Sequence, residues 1–231
     1  MKARLWPILL AGLLLISALS LPASAADVPF SDVADSAWYY ESVERVYEKN
    51  WMNGTGNDRF SPDDSLTRAM LAVILWRIEG SQDASRTVTF TDTSANAWYA
   101  DGLSWCAEKG LFAGYPNGSF GPDDAVTREQ LAIVFFRYAE KTGAVPSGQV
   151  GHATFKNGCP WAADACDWAN EHGLFTDAIG TLDLCAPASR AEIAYLLDQY
   201  FPSEASPSAL TENSFDSMGY LLYTPANAQP D

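Results

Sequence analysis

Apolar positions fall into three similar bouts along the chain, each ending in a stripe with helical spacing. Leu71, Ile74, Leu75 and Ile78 stand at i, i+3, i+4 and i+7. Leu131, Val134, Phe135 and Tyr138 repeat that order, as do Ile193, Leu196, Leu197 and Tyr200. This spacing puts the side chains on one face of an amphipathic helix. A shorter set precedes each stripe: Val43, Val46 and Tyr47, then Leu103, Cys106 and Ala107, then Cys166, Ala169 and Asn170. Each bout therefore reads as helix, loop, helix. One such pair cannot cover its own apolar face, whereas three pairs around a shared axis can. The expected fold is all-α, with three helix-loop-helix repeats in a pseudo-threefold, three-pronged domain.

The repetition extends to identity. Residues 30–79 align with 90–139 at an offset of sixty without a gap, and eighteen positions match. They include Phe30/Phe90, Asp32/Asp92, Trp38/Trp98, Gly54/Gly114, Pro62/Pro122, Asp63/Asp123, Asp64/Asp124, Thr67/Thr127 and Arg68/Arg128. Self-similarity at a fixed period marks duplication. The third copy is worn: Trp161 answers Trp98, and Ser189-Arg190 answers Thr127-Arg128. The modules are expected at residues 28–80, 88–141 and 153–201, joined by polar linkers. Lys2, Arg4, an apolar run and Ala23-Ser24-Ala25 read as a secretory signal peptide over residues 1–25. Residues 202–231 lack a helical period and are expected to form a largely disordered tail.

Losing the signal segment changes the charge. Removing Lys2 and Arg4 from the 14 basic residues leaves 12 against 29 acidic ones, a net charge of −17. Such a surface repels nucleic acid and anionic lipid, so no nucleic-acid partner is expected, and with no second apolar run in the sequence no membrane span after cleavage is expected. An anionic ligand would have to be held by locally placed cations. Four cysteines in an exported chain permit disulfides in three pairings. CxxC pairs are absent and the only histidines are His152 and His172, which argues against zinc. No metal and no cofactor are expected.

The repeated Pro-Asp-Asp-x-x-Thr-Arg can be split by role. Thr67, Thr127 and Ser189 stand where a hydroxyl caps the second helix. Gln130 and Glu192, three residues on, complete a capping box that Met70 cannot. Arg68, Arg128 and Arg190 are harder to explain, because the helix dipole is already positive at its N-terminus. Either an anion docks between guanidinium and helix, or each Arg pairs with a nearby carboxylate such as Asp64 or Asp124. The Asp pairs themselves read as turn residues rather than a catalytic dyad. Trp38, Trp98 and Trp161 are core residues or flat faces for a sugar ring. Gly54 and Gly114 would let a ligand approach the backbone.

Phe-x-Asp…Trp-Tyr…Gly…Asn-x-x-Phe-x-Pro…Thr-Arg, three times over, resembles the S-layer homology domain. The resemblance covers residues 30–201 and implies three modules forming a three-pronged helical domain. It also implies a non-enzymatic, non-covalent anchor at the cell wall or S-layer. The implied partner is a cell-wall glycan, a pyruvylated secondary polymer on peptidoglycan, whose carboxylate the arginines would bind. Ligand-binding residues are then expected at Arg68, Arg128, Arg190, Trp38, Trp98, Trp161, Asp32, Asp92, Gly54 and Gly114.

Copy three departs from the pattern. Asn157 stands in place of Asp92, Thr176 in place of Gly114, and Leu182 and Leu184 in place of Phe120 and Pro122. Its groove, assigned to Arg190, is expected to be weak or silent, with Cys159 and Cys185 as a candidate disulfide. Two other functions remain open at this point. One is a surface scaffold recruiting a protein through the tail; the other is a wall-acting glycoside hydrolase using the Asp pairs. HExxH and GxSxG motifs are absent, which counts against the hydrolase.

Overall fold

The computed structural model describes residues 28–85, 89–144, 153–175 and 181–201. The expected signal peptide, tail, Thr176 and most of the linker between copies two and three lie outside the described residues.

Six α-helices carry the described fold. The first helix of each copy is α1 (Tyr40–Glu48), α3 (Ala100–Glu108) or α5 (Ala163–Glu171). The second is α2 (Arg68–Ile78), α4 (Arg128–Thr142) or α6 (Arg190–Tyr200). All twelve apolar positions of the three long stripes are buried. The shorter stripes bury Val43, Val46, Leu103, Cys106, Cys166 and Ala169, while Tyr47, Ala107 and Asn170 lie at their margins. Chain reversal after the first helices needs a left-handed residue, supplied by Asn50, Gly110 and Gly173.

One feature was not expected from an all-α reading. Copy three contains two short parallel strands, β1 (Phe155–Lys156) and β2 (Leu182–Asp183), with Phe155 opposite Leu182. Copies one and two hold their loops with comparable single backbone bonds. Ser31 N–H donates to the Asp58 carbonyl at 2.8 Å, and Thr91 N–H donates to Gly118 at 3.0 Å. The small ladder is an extension of a contact that all three loops make.

Helices of different copies pack as α2 on α3, α4 on α5 and α6 on α1. The α2–α3 approach is close enough that a Cβ at Gly102 would lie 2.8 Å from the Cα of Val73. The α6–α1 contact joins the two ends of the described chain, and a buried carboxylate organises it. Asp198 accepts from Ser42 Oγ at 3.0 Å, Arg45 Nε at 2.5 Å and Arg45 Nη2 at 2.6 Å. Lys49 Nζ adds a bond to the Phe201 carbonyl at 3.1 Å. Asp198→Ala removes three bonds from a 5% exposed side chain. It should cost about 2–3 kcal/mol, read as a lowered urea midpoint. Glu41→Ala breaks only an exposed pair with Arg45 and should change stability by less than about 0.5 kcal/mol.

Candidate functional site

The repeated motif finds its partners in the neighbouring copy. A helix leaves its first N–H groups without intrahelical acceptors. In α2, Arg68 N–H donates to the Asp124 carbonyl at 2.9 Å and Ala69 N–H to Pro122 at 3.1 Å. In α6, Arg190 N–H donates to Asp64 at 2.8 Å and Ala191 N–H to Pro62 at 2.9 Å. In α4, Arg128 and Glu129 N–H donate to Ala186 at 3.2 Å and Leu184 at 3.0 Å. Thr67, Thr127 and Ser189 accept the next N–H as expected, and the capping box is complete in copies two and three. The Pro-Asp-Asp segment thus works through its backbone, closing the helix end of another copy.

The arginines follow the same path. Arg68 donates from Nε to the Phe120 carbonyl at 2.8 Å and from Nη2 to Ala113 at 2.9 Å. Arg190 reaches copy one, from Nε to Phe60 and from Nη2 to Asn53, both at 2.7 Å. Each guanidinium also lies 4.6 Å from the ring centroid of the phenylalanine whose carbonyl it holds. A nearby carboxylate does pair with one of the three, Glu192 with Arg128. Asp64 and Asp124 offer backbone carbonyls to the helix, and the Asp64 charge also acts on the Arg190 guanidinium. The helix-terminal amides that an anion would need are already taken.

Asp32 and Asp92 grip the same loops from the other side. Asp32 accepts from Phe60 N–H at 2.8 Å and Ser61 N–H at 2.9 Å; Asp92 accepts from Phe120 and Gly121, both at 2.7 Å. Burial alone would raise both carboxyls, but these backbone donors, with Arg59 beside Asp32 and Arg68 beside Asp92, hold them below the ordinary value. Gly54 and Gly114 have an internal reason to lack a Cβ. One at Gly54 would sit 2.6 Å from the Phe30 ring, and one at Gly114 would sit 2.5 Å from Phe90. Loop packing accounts for both.

Three junctions result, each built by the second helix of one copy and the loop of another, and we call each a cleft. The first joins Arg190 of α6 to the copy-one loop with Asp32, Asn53, Gly54 and Phe60. Trp38, 38% exposed, rests edge-on against Tyr39 and against Tyr195 of α6, with ring centroids 5.2 and 5.7 Å away. The second joins Arg68 of α2 to the copy-two loop with Asp92, Gly114 and Phe120. Beside it Trp98 stands 65% exposed, edge-on to Tyr99. Burial, then the nearby aspartates, pushes the Tyr39 and Tyr99 hydroxyls up, so both stay neutral donors at physiological pH.

The third cleft differs in kind. Arg128 of α4 meets the copy-three loop, donating from Nη1 to the Asp183 carbonyl at 3.0 Å. Its remaining nitrogens clasp Glu192 in a bidentate pair, Nη2 to Oε1 and Oε2 at 2.7 and 2.9 Å and Nε to Oε1 at 3.1 Å. The residues at the position of Glu192 in the other copies are Gln130 and Met70, which carry no charge. Trp161 is half-buried against the core. The sequence reading assigned Arg190 to the divergent copy, because it treated every copy as a complete groove. The structure pairs Arg190 with the intact loop of copy one and Arg128 with the worn one. Tyr195, Glu192 and the carbonyls of Asn53 and Ala113 were missed. Of these only Glu192 carried a sequence signal, and the capping box had already explained it.

The model of the S-layer homology domain matches residues 29–70 and 89–132, which fall in copies one and two. Among relatives, an endoglucanase of Bacillus sp. (strain KSM-635) is 33% identical over 146 residues, 58% of this chain and 15% of its own length. A cellulosome-anchoring protein of Acetivibrio thermocellus is 33% identical over 102 residues, 42% of this chain and 23% of its own. A cell surface protein of Thermoanaerobacter kivui is 30% identical over 181 residues, 76% of this chain and 21% of its own. The chain therefore spans less than a quarter of each of these relatives. Its location is extracytoplasmic, at the cell wall or cell surface.

The aspartate clamp carries a pH signature. A carboxyl held below its unfolded value stabilises the fold above that value and loses the effect as pH falls through the folded one. Asp92→Asn keeps one acceptor and loses the charge; Asp92 is exposed, so solvent screening holds the cost to about 1 kcal/mol or less near neutrality. In thermal melts the gap from the parent should close as pH drops from roughly 5 to 2.

Proposed function

We propose that this chain is a non-covalent wall anchor whose three modules, arranged with pseudo-threefold symmetry, bind an acidic secondary wall glycan in two of their three clefts. The observation that carries this reading is the state of Arg190. Arg190 is 6% exposed, its guanidinium is hydrogen-bonded to two neutral carbonyls, and among the described residues it forms no ion pair. Burial pushes it down, and Asp64 and Asp32 only partly oppose this. A carboxylate brought by a ligand, such as the ketal-linked pyruvate of a wall polymer, would supply the missing counter-charge. Such a charge-assisted bond is worth about 1.5–3 kcal/mol.

Trp38 and Trp98 give the two clefts an apolar platform for a sugar ring, with an indole N–H for its hydroxyls. Two clefts on a polymer of repeated units gain avidity without new contacts. The third already contains the carboxylate of Glu192 on its arginine, so an anionic sugar would have to displace it. The relatives that are enzymes match this chain over a small part of their length, which suits an anchoring segment rather than a catalytic one. The Asp pairs serve the turns, and we assign them no reaction.

Arginine variants are poor tests, because Arg68 and Arg190 also hold the modules together. The exposed Trp98 can be removed without touching the core. In a pull-down on purified wall sacculi, Trp38→Ala/Trp98→Ala should lose most retention while melting within a few degrees of the parent. Mild acid removal of pyruvate from the sacculi should abolish retention of the parent, and Arg128→Ala should retain normally. Retention that survives both pyruvate removal and the double Trp variant would sink the ligand assignment and point to a protein partner.

A further inference from the structure

The worn third cleft holds a group that the other two lack. Glu129, in the first turn of α4, is 6% exposed and follows Arg128 directly. Cys159 lies at the end of the strand-and-turn segment before α5, and Cys185 lies just after β2. Cys159 N–H donates to Glu129 Oε2 at 3.1 Å, and Cys185 Sγ lies 3.8 Å from the same oxygen. The two thiol sulfurs and a Glu129 oxygen all lie within 4.8 Å of one another. The thiols are not joined to each other. At the corresponding positions copies one and two have Ser36 and Asn96 for Cys159, and Asp63 and Asp123 for Cys185. Ala191 and Ala69 stand where Glu129 does.

We propose that Cys159, Cys185 and Glu129 form a binding site for a soft divalent cation of the zinc type. Zinc binds thiolate at about 2.3 Å and carboxylate oxygen at about 2.1 Å, so neighbouring ligand atoms of a tetrahedral set stand about 3.5–3.8 Å apart. The observed triad needs a contraction of about 1 Å or less to reach that size. A disulfide would instead require the sulfurs to approach to about 2.05 Å and would leave the buried carboxylate with no share in the link. Three protein donors and one open position suit an ion that enters from solvent. Cys185 is exposed and provides that entry, and Cys166 shares a hollow with Cys159 at the same edge. Binding would release the two thiol protons to solvent, with no change of redox state.

The sequence argued against zinc because no CxxC or histidine pair is present. That spacing rule covers ligands from one hairpin or helix, whereas these come from three segments of two copies. An ion here would tie the first turn of α4 to the copy-three loop and make the third cleft a fastening rather than a binding groove. This inference stands independently of the glycan reading.

The test uses the mature chain, purified under reducing conditions and titrated with zinc against a chromophoric chelator. One equivalent should bind. Cobalt substituted for zinc should show an intense thiolate-to-cobalt charge-transfer band in the near ultraviolet, which needs no variant and so no assumption about folding. Cys159→Ser or Cys185→Ser should abolish stoichiometric binding, and Glu129→Gln should weaken it about tenfold or more. Cys106→Ser, in the α2–α3 interface, should leave it unchanged. No stoichiometric binding by the reduced chain would overturn the proposal. So would a native chain two hydrogens lighter with a Cys159–Cys185 cross-linked peptide.

Discussion

Everything else in the structure depends on one exchange of hydrogen bonds. The first two N–H groups of each second helix donate to backbone carbonyls in the loop of another copy. Those amides would otherwise be buried without acceptors, at a cost of about 1–3 kcal/mol each. In every copy these bonds run to another copy's loop, so no copy closes its own second helix. Arginine at the first helical position makes sense in this setting. It opposes the helix dipole, yet the next loop offers it two carbonyl dipoles and an aromatic face. A lysine could satisfy neither fork nor ring as well.

The same exchange decides where a ligand could be held. Because each cleft is built from one copy's second helix and another's loop, wear in one copy is felt at its neighbour's arginine. Copy three lost the loop aspartate and gained Leu182 and Leu184, and the residue left facing that loop is Arg128. Glu192 then occupies the guanidinium. The two clefts with intact loops keep their exposed tryptophans and uncharged residues at the Glu192 position. Asymmetry among the three helix pairs therefore arises from a few side chains, while the scheme of backbone bonds is kept.

Much of this was legible in the sequence, and the limit has a physical cause. The apolar stripes give the helices because burial follows helical periodicity. The caps at Thr67, Thr127 and Ser189 were readable because capping is local, with side chain and amide three residues apart. The partners of Pro62, Asp64, Pro122 and Asp124 were not, because backbone carbonyls leave no trace in residue identity. Asp32 and Gly54 were singled out as ligand-binding positions, and in the structure Asp32 holds the Phe60 amide while Gly54 lies against the Phe30 ring. A single unaligned copy cannot show that its motif is completed by another, and this is why Arg190 was placed with the wrong loop.

The most direct test of the account is a calorimetric titration of the mature chain with a short, pyruvylated wall glycan. Two sites per chain are predicted, one removed by Trp38→Ala and the other by Trp98→Ala, with Arg128→Ala leaving both. Three equivalent sites, or binding that persists in the double tryptophan variant, would contradict it.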